Sequence, residues 1–206
     1  MTNFTRFEIG GIEFRVYDGN IGCSFSGGAD SAIVVYLLMK YSNKSINFYL
    51  TDSKLWPNRL GPALRVFEKC KQLTGYSLDN LIVTVIEDDP YRENIFIRPL
   101  EDKSNNVIDF IYSGLTCNPP VELNKDNDRI VFRDIKDGPK NVLDEDNFYM
   151  PFRNHHKGDI ARLYTHLGLM EDLFPLTYSC TDSQTEIMCG NCWFCFEREW
   201  GFGRLI

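Results

Sequence analysis

The sequence predicts an α/β fold, a parallel central sheet with flanking helices and a cysteine-bearing C-terminal segment, and three observations carry that expectation. Strand-like and helix-like patterns alternate from residue 20 to 88, as βαβ units do. A glycine-rich turn, "SFSGGADS", joins the first of those strands to the first of the helices. Four cysteines crowd into residues 180–195, far from that turn in sequence. A chain of 206 residues can bury one full core, so a single domain over 1–206 is expected, with the cysteine segment at about 177–200.

Taken in order, residues 6–16, "RFEIGGIEFRV", are two β-prone runs joined by Gly10 and Gly11 and read as a hairpin. "NIGCSF" is a short strand, and Ala29 to Tyr41 is apolar and of helical length. "SINFYLT", 45–51, is a further strand. Trp56 to Leu73 has helical spacing at Leu60, Leu64, Phe67 and Leu73, and "NLIVTVIED", 80–88, has the continuous apolar pattern of a buried strand. "NVIDFIYSGL", 106–115, suits another central strand. Residues 116–147 are rich in Asn, Asp, Pro and Lys and read as an irregular excursion, with "RIVFRDI" its strand-like island. From His156 the helical pattern returns, with Ile160, Leu163 and Leu167 on one face and Gly168 to end it.

Composition narrows the function classes. Hydrophobic residues make up 43% of the chain, yet the longest apolar run, Ala32 to Met39, is too short to cross a bilayer. "MTNFTRFEIGG" has neither the basic start nor the apolar core of a secretory signal, so a cytoplasmic location is expected. A net charge of −7 and a pI near 5.0 oppose broad binding to nucleic-acid phosphates. Seven cysteines are an odd count, and their clustering points to metal rather than disulfides.

Glycines between a strand and a helix let successive N–H groups point inward, and the helix that follows adds the positive end of its dipole. Such a loop suits an anion. "SFSGGADS" lacks the lysine of a Walker loop and the third glycine of a dinucleotide fingerprint. The plainer reading is a strand-to-helix turn with Asp30 and Ser31 in the first helical turn, where such residues are favoured anyway. Ser26, Gly27, Gly28, Asp30 and Ser31 resemble the PP-loop, S-G-G-x-D-S, of the ATP pyrophosphatase superfamily. That resemblance implies an adenine nucleotide alpha hydrolase-like fold, a loop holding the β- and γ-phosphates of ATP, cleavage at the α-phosphate, and Mg²⁺ placed with the help of an acidic residue.

Cys180, Cys189, Cys192 and Cys195 form C-x8-C-x2-C-x2-C. Two-residue spacers let thiolates converge on one ion, and four of them fill a tetrahedral Zn²⁺ shell, so a structural zinc is expected; four thiolates also suit an iron–sulfur cluster. Cys23, Cys70 and Cys117 read as ordinary core or surface thiols.

The two motifs together resemble the 7-cyano-7-deazaguanine synthase family, the QueC-like enzymes of queuosine biosynthesis. Thr177, Ser179, Cys180, Cys189, Gly190, Cys192, Cys195 and Arg198 match its T-W-S-C followed by C-G-x-C-x-x-C-x-x-R, with Tyr178 in place of Trp. Pro151, Lys157, Ile160 and Leu163 match its P-x5-K-x-x-I-x-x-L helix. The family's segments resembling Y-P-D-C-R and P-G-R-N have no clear match in 115–150, and "PFRN" at 151–154 only echoes the second.

The resemblance implies an ATP-dependent C–N ligase that adenylates a small carboxylate, 7-carboxy-7-deazaguanine, and uses ammonia to form an amide and then a nitrile. It implies an ATP site drawn from Ser24, Ser26, Gly27, Gly28, Asp30, Ser31 and Asp52, with Asp30 and Lys157 catalytic, and a homodimer as in many family members. Asp52 also stands where ligands gather, at the carboxyl edge of a parallel sheet, although a turn-forming aspartate is the plain alternative. A lysine at a helix start can contact a phosphate or simply be solvated. His155 and His156 read as exposed loop residues, Asp88 and Asp89 as a solvated strand end, and Trp193 and Phe194 as packing for the cysteine loop. The altered middle region leaves two other readings: a PP-loop enzyme with a different acceptor, and a non-catalytic nucleotide-binding module.

Overall fold

The computed structural model describes residues 3–53, 58–86, 96–120, 148–183 and 185–204. Asp88, Asp89 and the "RIVFRDI" island lie outside the described residues.

The expected hairpin forms from β1 (Phe4–Ile9) and β2 (Ile12–Tyr17), paired antiparallel around Gly10 and Gly11. It is a separate two-stranded sheet that lays Ile9, Ile12, Phe14 and Val16 onto the main core. β3 (Ile21–Phe25), α1 (Ala29–Tyr41), β4 (Ile46–Ser53), α2 (Leu60–Thr74) and β5 (Asp79–Ile86) follow, then α3 (Ile97–Ser104), β6 (Phe110–Ser113), β7 (Phe148–Tyr149), α4 (Lys157–His166) and α5 (Trp193–Phe202). Among the described residues the main sheet has five strands in the order β5-β4-β3-β6-β7, all parallel.

Strand alternation divides the core. Cys23, Phe25, Phe48 and Leu50 face α1 and α2, whereas Tyr49, Ile108 and Ile111 pack on the opposite face with Phe96 and Phe148. α1 is buried nearly all round, from Ala29 to Met39, because α2 and α4 cover the sides the sheet does not. The Tyr164 hydroxyl of α4 donates to the Ala29 carbonyl at 2.8 Å and fixes α4 over the first turn of α1.

Two expectations need correction. α2 begins at Leu60, with Arg59 its N-cap, since Pro62 has no N–H to give and is tolerated only in a helix's first turn; Trp56, where the helical pattern starts, lies outside the described residues. Among the described residues β5 is an edge strand, so its apolar run is not enclosed: Val83 is 43% exposed and Val85 62%. Gly168 follows the C-cap Leu167 and takes a positive φ, ending α4 as expected.

The chain builds outward from β3 to β5, then crosses to the other side of β3 to build β6 and β7. This reversal makes the carboxyl ends of β3 and β6 a topological switch point, the place where open α/β sheets bind ligands. The "SGGADS" loop leaves β3 at that point, and Gly114 and Thr116 leave β6 beside it.

Candidate active site and metal centre

The loop is held by its own side chains. The Ser31 hydroxyl donates to the Gly28 carbonyl at 3.0 Å and accepts the Ser26 N–H at 3.2 Å, and the Ser26 hydroxyl lies 3.3 Å from it. Gly28 is the N-cap of α1, and no side chain caps that end, so the helix presents its N–H groups and positive dipole to the switch point. Gly27 has a φ of +76°, and a β-carbon there would fall 2.7 Å from the Cα of Ala63 in α2. Gly27→Ala is therefore expected to destabilise the chain by about 3 kcal/mol, combining left-handed backbone cost with overpacking. A lower midpoint of chemical unfolding checks this, and an unchanged midpoint would refute it.

Asp30 sits in the first turn of α1. One of its carboxylate oxygens, Oδ2, accepts from the Lys157 ammonium and lies 3.5 Å from the Thr116 hydroxyl. The other, Oδ1, is buried and has no hydrogen-bond partner among the described residues. Lys157 is 6% exposed, so its place at a helix start is not the solvated one; it bridges 127 residues of sequence to reach Asp30. The His156 N–H donates to Asp159 at 2.8 Å, which fixes the start of α4 and the point from which Lys157 projects. His155 and His156 are partly buried rather than exposed, and the His156 ring packs edge-on against Trp200.

Ser24 and Asp52 occupy the carboxyl-end regions of β3 and β4 and are both partly buried. Ser24 lies on the sheet face opposite α1, by strand alternation from Phe25. Ser26, Gly27, Gly28, Asp30, Ser31 and Lys157 converge directly, whereas Ser24 and Asp52 share the sheet edge. Sequence reasoning passed over Thr116, although the carboxyl-edge rule that singled out Asp52 applies equally to it.

The C-terminal segment is strapped across the loop. The Tyr178 N–H donates to the Gly27 carbonyl at 2.9 Å, and Ser179 lies against Gly28. The Tyr178 hydroxyl, pushed up to about 12 chiefly by burial, donates to the Thr185 carbonyl at 2.9 Å. Arg198 is almost wholly buried and donates to the Thr177 hydroxyl at 2.7 Å and the Phe174 carbonyl at 3.1 Å. Its guanidinium stacks 3.9 Å from the Phe174 ring. Burial lowers its pKa to about 10, which leaves it charged at neutral pH.

The sulfur atoms of Cys180, Cys189, Cys192 and Cys195 all lie within 4.8 Å of one another. Two of the pairs, Cys189 with Cys195 and Cys180 with Cys192, stand at 3.9 Å. Backbone N–H groups of Cys189, Asn191 and Cys192 donate to Cys180 and Cys189 sulfurs at 3.3–3.4 Å; burial nevertheless raises the Cys189 thiol overall, against the lowering effect of the Asn191 and Cys192 N–H groups. A hydrogen bond from Cys195 pulls Cys192 down to about 4, and the same bond with burial pushes Cys195 up. The cluster thus has the donor set and convergence to hold a metal ion. Trp193 is buried and packs on Phe196, while the Arg59 guanidinium lies 6.0 Å from the Phe194 ring, so both aromatics serve packing as expected.

Residues 140–205 match the family described as Queuosine biosynthesis protein QueC. Among curated proteins, the chain is similar to glutamine-hydrolysing GMP synthases: 24% identical over 194 residues to that of Acetivibrio thermocellus and 25% over 195 residues to that of Ruminiclostridium cellulolyticum. These alignments take in 84% of this chain, and the chain spans 36% of the length of either relative. Among solved structures, it is similar to the U34-tRNA thiolase NcsA from Methanococcus maripaludis with its [4Fe-4S] cluster. That likeness has a TM-score of 0.43 and 14% identity, over 74% of this chain and 57% of that one. Among the described residues no helix is long and apolar enough to cross a membrane. The S-G-G-x-D-S loop stands at the switch point of a parallel sheet, and the cysteine cluster falls within the C-terminal third of the chain, which is similar to the QueC family.

Proposed function

We propose that this chain is an enzyme that binds ATP at residues 26–31 and transfers AMP to a small-molecule carboxylate, releasing pyrophosphate. The observation that carries the reading is the convergence of two hydroxyls, an uncapped helix N-terminus and the Asp30–Lys157 pair at the sheet's switch point. Ser26, Ser31 and the backbone N–H groups of Gly27 and Gly28 would cradle the β- and γ-phosphates. Lys157 would add a cation near the α-phosphate, and the substrate carboxylate oxygen attacks that phosphorus as its bond to pyrophosphate breaks. The unpartnered Oδ1 of Asp30 fits a Mg²⁺ ion, which would offset the charge of the leaving pyrophosphate. The four cysteines fit a structural Zn²⁺ that would hold the C-terminal strap in place.

The acceptor we propose is 7-carboxy-7-deazaguanine, a reading supported by the QueC match. A carboxylate resists ammonia because its carbonyl is a poor electrophile; as the acyl adenylate it reacts, ammonia adding at carbon while AMP leaves with the C–O bond electrons. A second ATP activates the amide oxygen in the same way, and loss of AMP with two N–H protons gives the nitrile. A different carboxylate acceptor is the second reading, favoured by the missing family segments in 115–150. Incubation with ATP, Mg²⁺, ammonium and 7-carboxy-7-deazaguanine, followed by mass spectrometry, should yield AMP, pyrophosphate and a base of amide or nitrile mass. ATP binding without turnover of that base would exclude it as the acceptor.

A further inference from the structure

We infer that Gly201 is a positioning residue for Lys157: the bare Cα of α5 at that point sets how closely α4 seats and therefore where the Lys157 ammonium meets Asp30. A β-carbon on Gly201 would fall 2.2 Å from the β-carbon of Lys157 and 2.9 Å from its carbonyl carbon, distances that no repacking of a side-chain tip relieves. α4 would have to move away from α5. Trp200, next to Gly201, packs edge-on against His156, next to Lys157, so both residues at this crossing are engaged on both helices.

α5 cannot retreat to make room. Three contacts hold it along its length, from the N-cap Cys192 through Cys195 to Arg198. Cys192 and Cys195 bind its N-terminal end to the cysteine cluster, and Arg198 ties its middle to Thr177 and Phe174. The same segment reaches the phosphate loop through Tyr178 and Gly27. The strap over the loop and the seat of Lys157 are thus parts of one rigid piece. Lys157 is buried and Asp30 only slightly exposed, at 7% and 15% by side chain, so a displaced ammonium would open to solvent.

The activity arm of the test rests on the proposed adenylation; the labelling arm does not. Full-length Gly201→Ala and wild-type protein are treated briefly with acetic anhydride, and lysine acetylation is quantified by mass spectrometry, with the 38%-exposed Lys44 as internal reference. Lys157 is expected to react at least about 5-fold faster in the variant, while pyrophosphate release falls by at least about 10-fold, as a displacement near 1 Å permits. In a Lys157→Ala background the glycine change should cause no further loss of release, because it acts through the lysine. Unchanged Lys157 labelling, or a further loss in that background, overturns the inference. If wild-type protein releases no pyrophosphate with any carboxylate, the adenylation reading fails and labelling still decides the position of Lys157. Should Gly201→Ala fail to fold, Lys157→Gly should be tolerated better than Lys157→Ala in that background, because only glycine removes the β-carbon at 2.2 Å; no difference between the two overturns the contact.

Discussion

Asp30→Asn is expected to lower pyrophosphate release by at least about 100-fold while leaving the metal content of the cysteine cluster unchanged. The change keeps the size of the side chain and its neighbour Thr116 but removes the charge that faces Lys157 and the unpartnered oxygen assigned to Mg²⁺. Stability will fall as well, by about 3 kcal/mol, because Lys157 is then a buried cation without its counter-charge. That loss and the loss of activity have separable causes. Adding Lys157→Met removes the stranded charge, so the double variant should regain most of its stability and none of its activity. A double variant that releases pyrophosphate would show the pair to be a structural salt bridge only, and release retained by Asp30→Asn alone would remove Asp30 from the mechanism.

How far this site could be read from sequence depends on whether its parts are local. The loop was legible because residues 26–31 are contiguous and Gly27 takes a backbone conformation that few residues tolerate. α1 spans Ala29–Tyr41 as its apolar run implied, the glycines setting its start. The cysteine cluster was legible for the same reason, its ligands lying within sixteen residues of chain. The Asp30–Lys157 contact was not, since a lysine at a helix start has the same local pattern whether it is solvated or buried; only the packing of α4 on α1 decides. β5 misled for a related reason: an apolar run says that a strand can be buried, and its place at the sheet edge is a property of topology. α5 was hidden under the cysteine motif, and Gly201 has no signal at all outside its collision with Lys157.

Purified protein is expected to contain about one zinc per chain and to be colourless, and stripping that metal should abolish pyrophosphate release. The geometry favours a single ion. Sulfurs at 3.9 Å match the edge of a tetrahedron with Zn–S bonds of ~2.3 Å, about 3.8 Å, whereas four thiolates each bound to a separate iron of a cubane stand much further apart. A brown protein with iron and labile sulfide would overturn the zinc assignment. The effect on activity follows from what the cluster anchors. Without an ion, four sulfurs this close must hold protons or repel one another, and metal-binding energy in such sites is folding energy, on the order of 10 kcal/mol in isolated zinc peptides. Loss of that anchor frees the N-terminal end of α5 and the strap at Tyr178, so both the phosphate loop and the lysine lose their common support. Cys195→Ser should reproduce the loss, since Cys195 is fully buried within α5 and a serine hydroxyl is a poor fourth ligand. Limited proteolysis separates local from global failure: cleavage confined to the C-terminal segment, with the sheet intact, is the expected pattern. A stripped protein that keeps full activity and full protease resistance would mean that the cysteines carry no structural metal and that Arg198, bound to Thr177 and Phe174, suffices to hold α5.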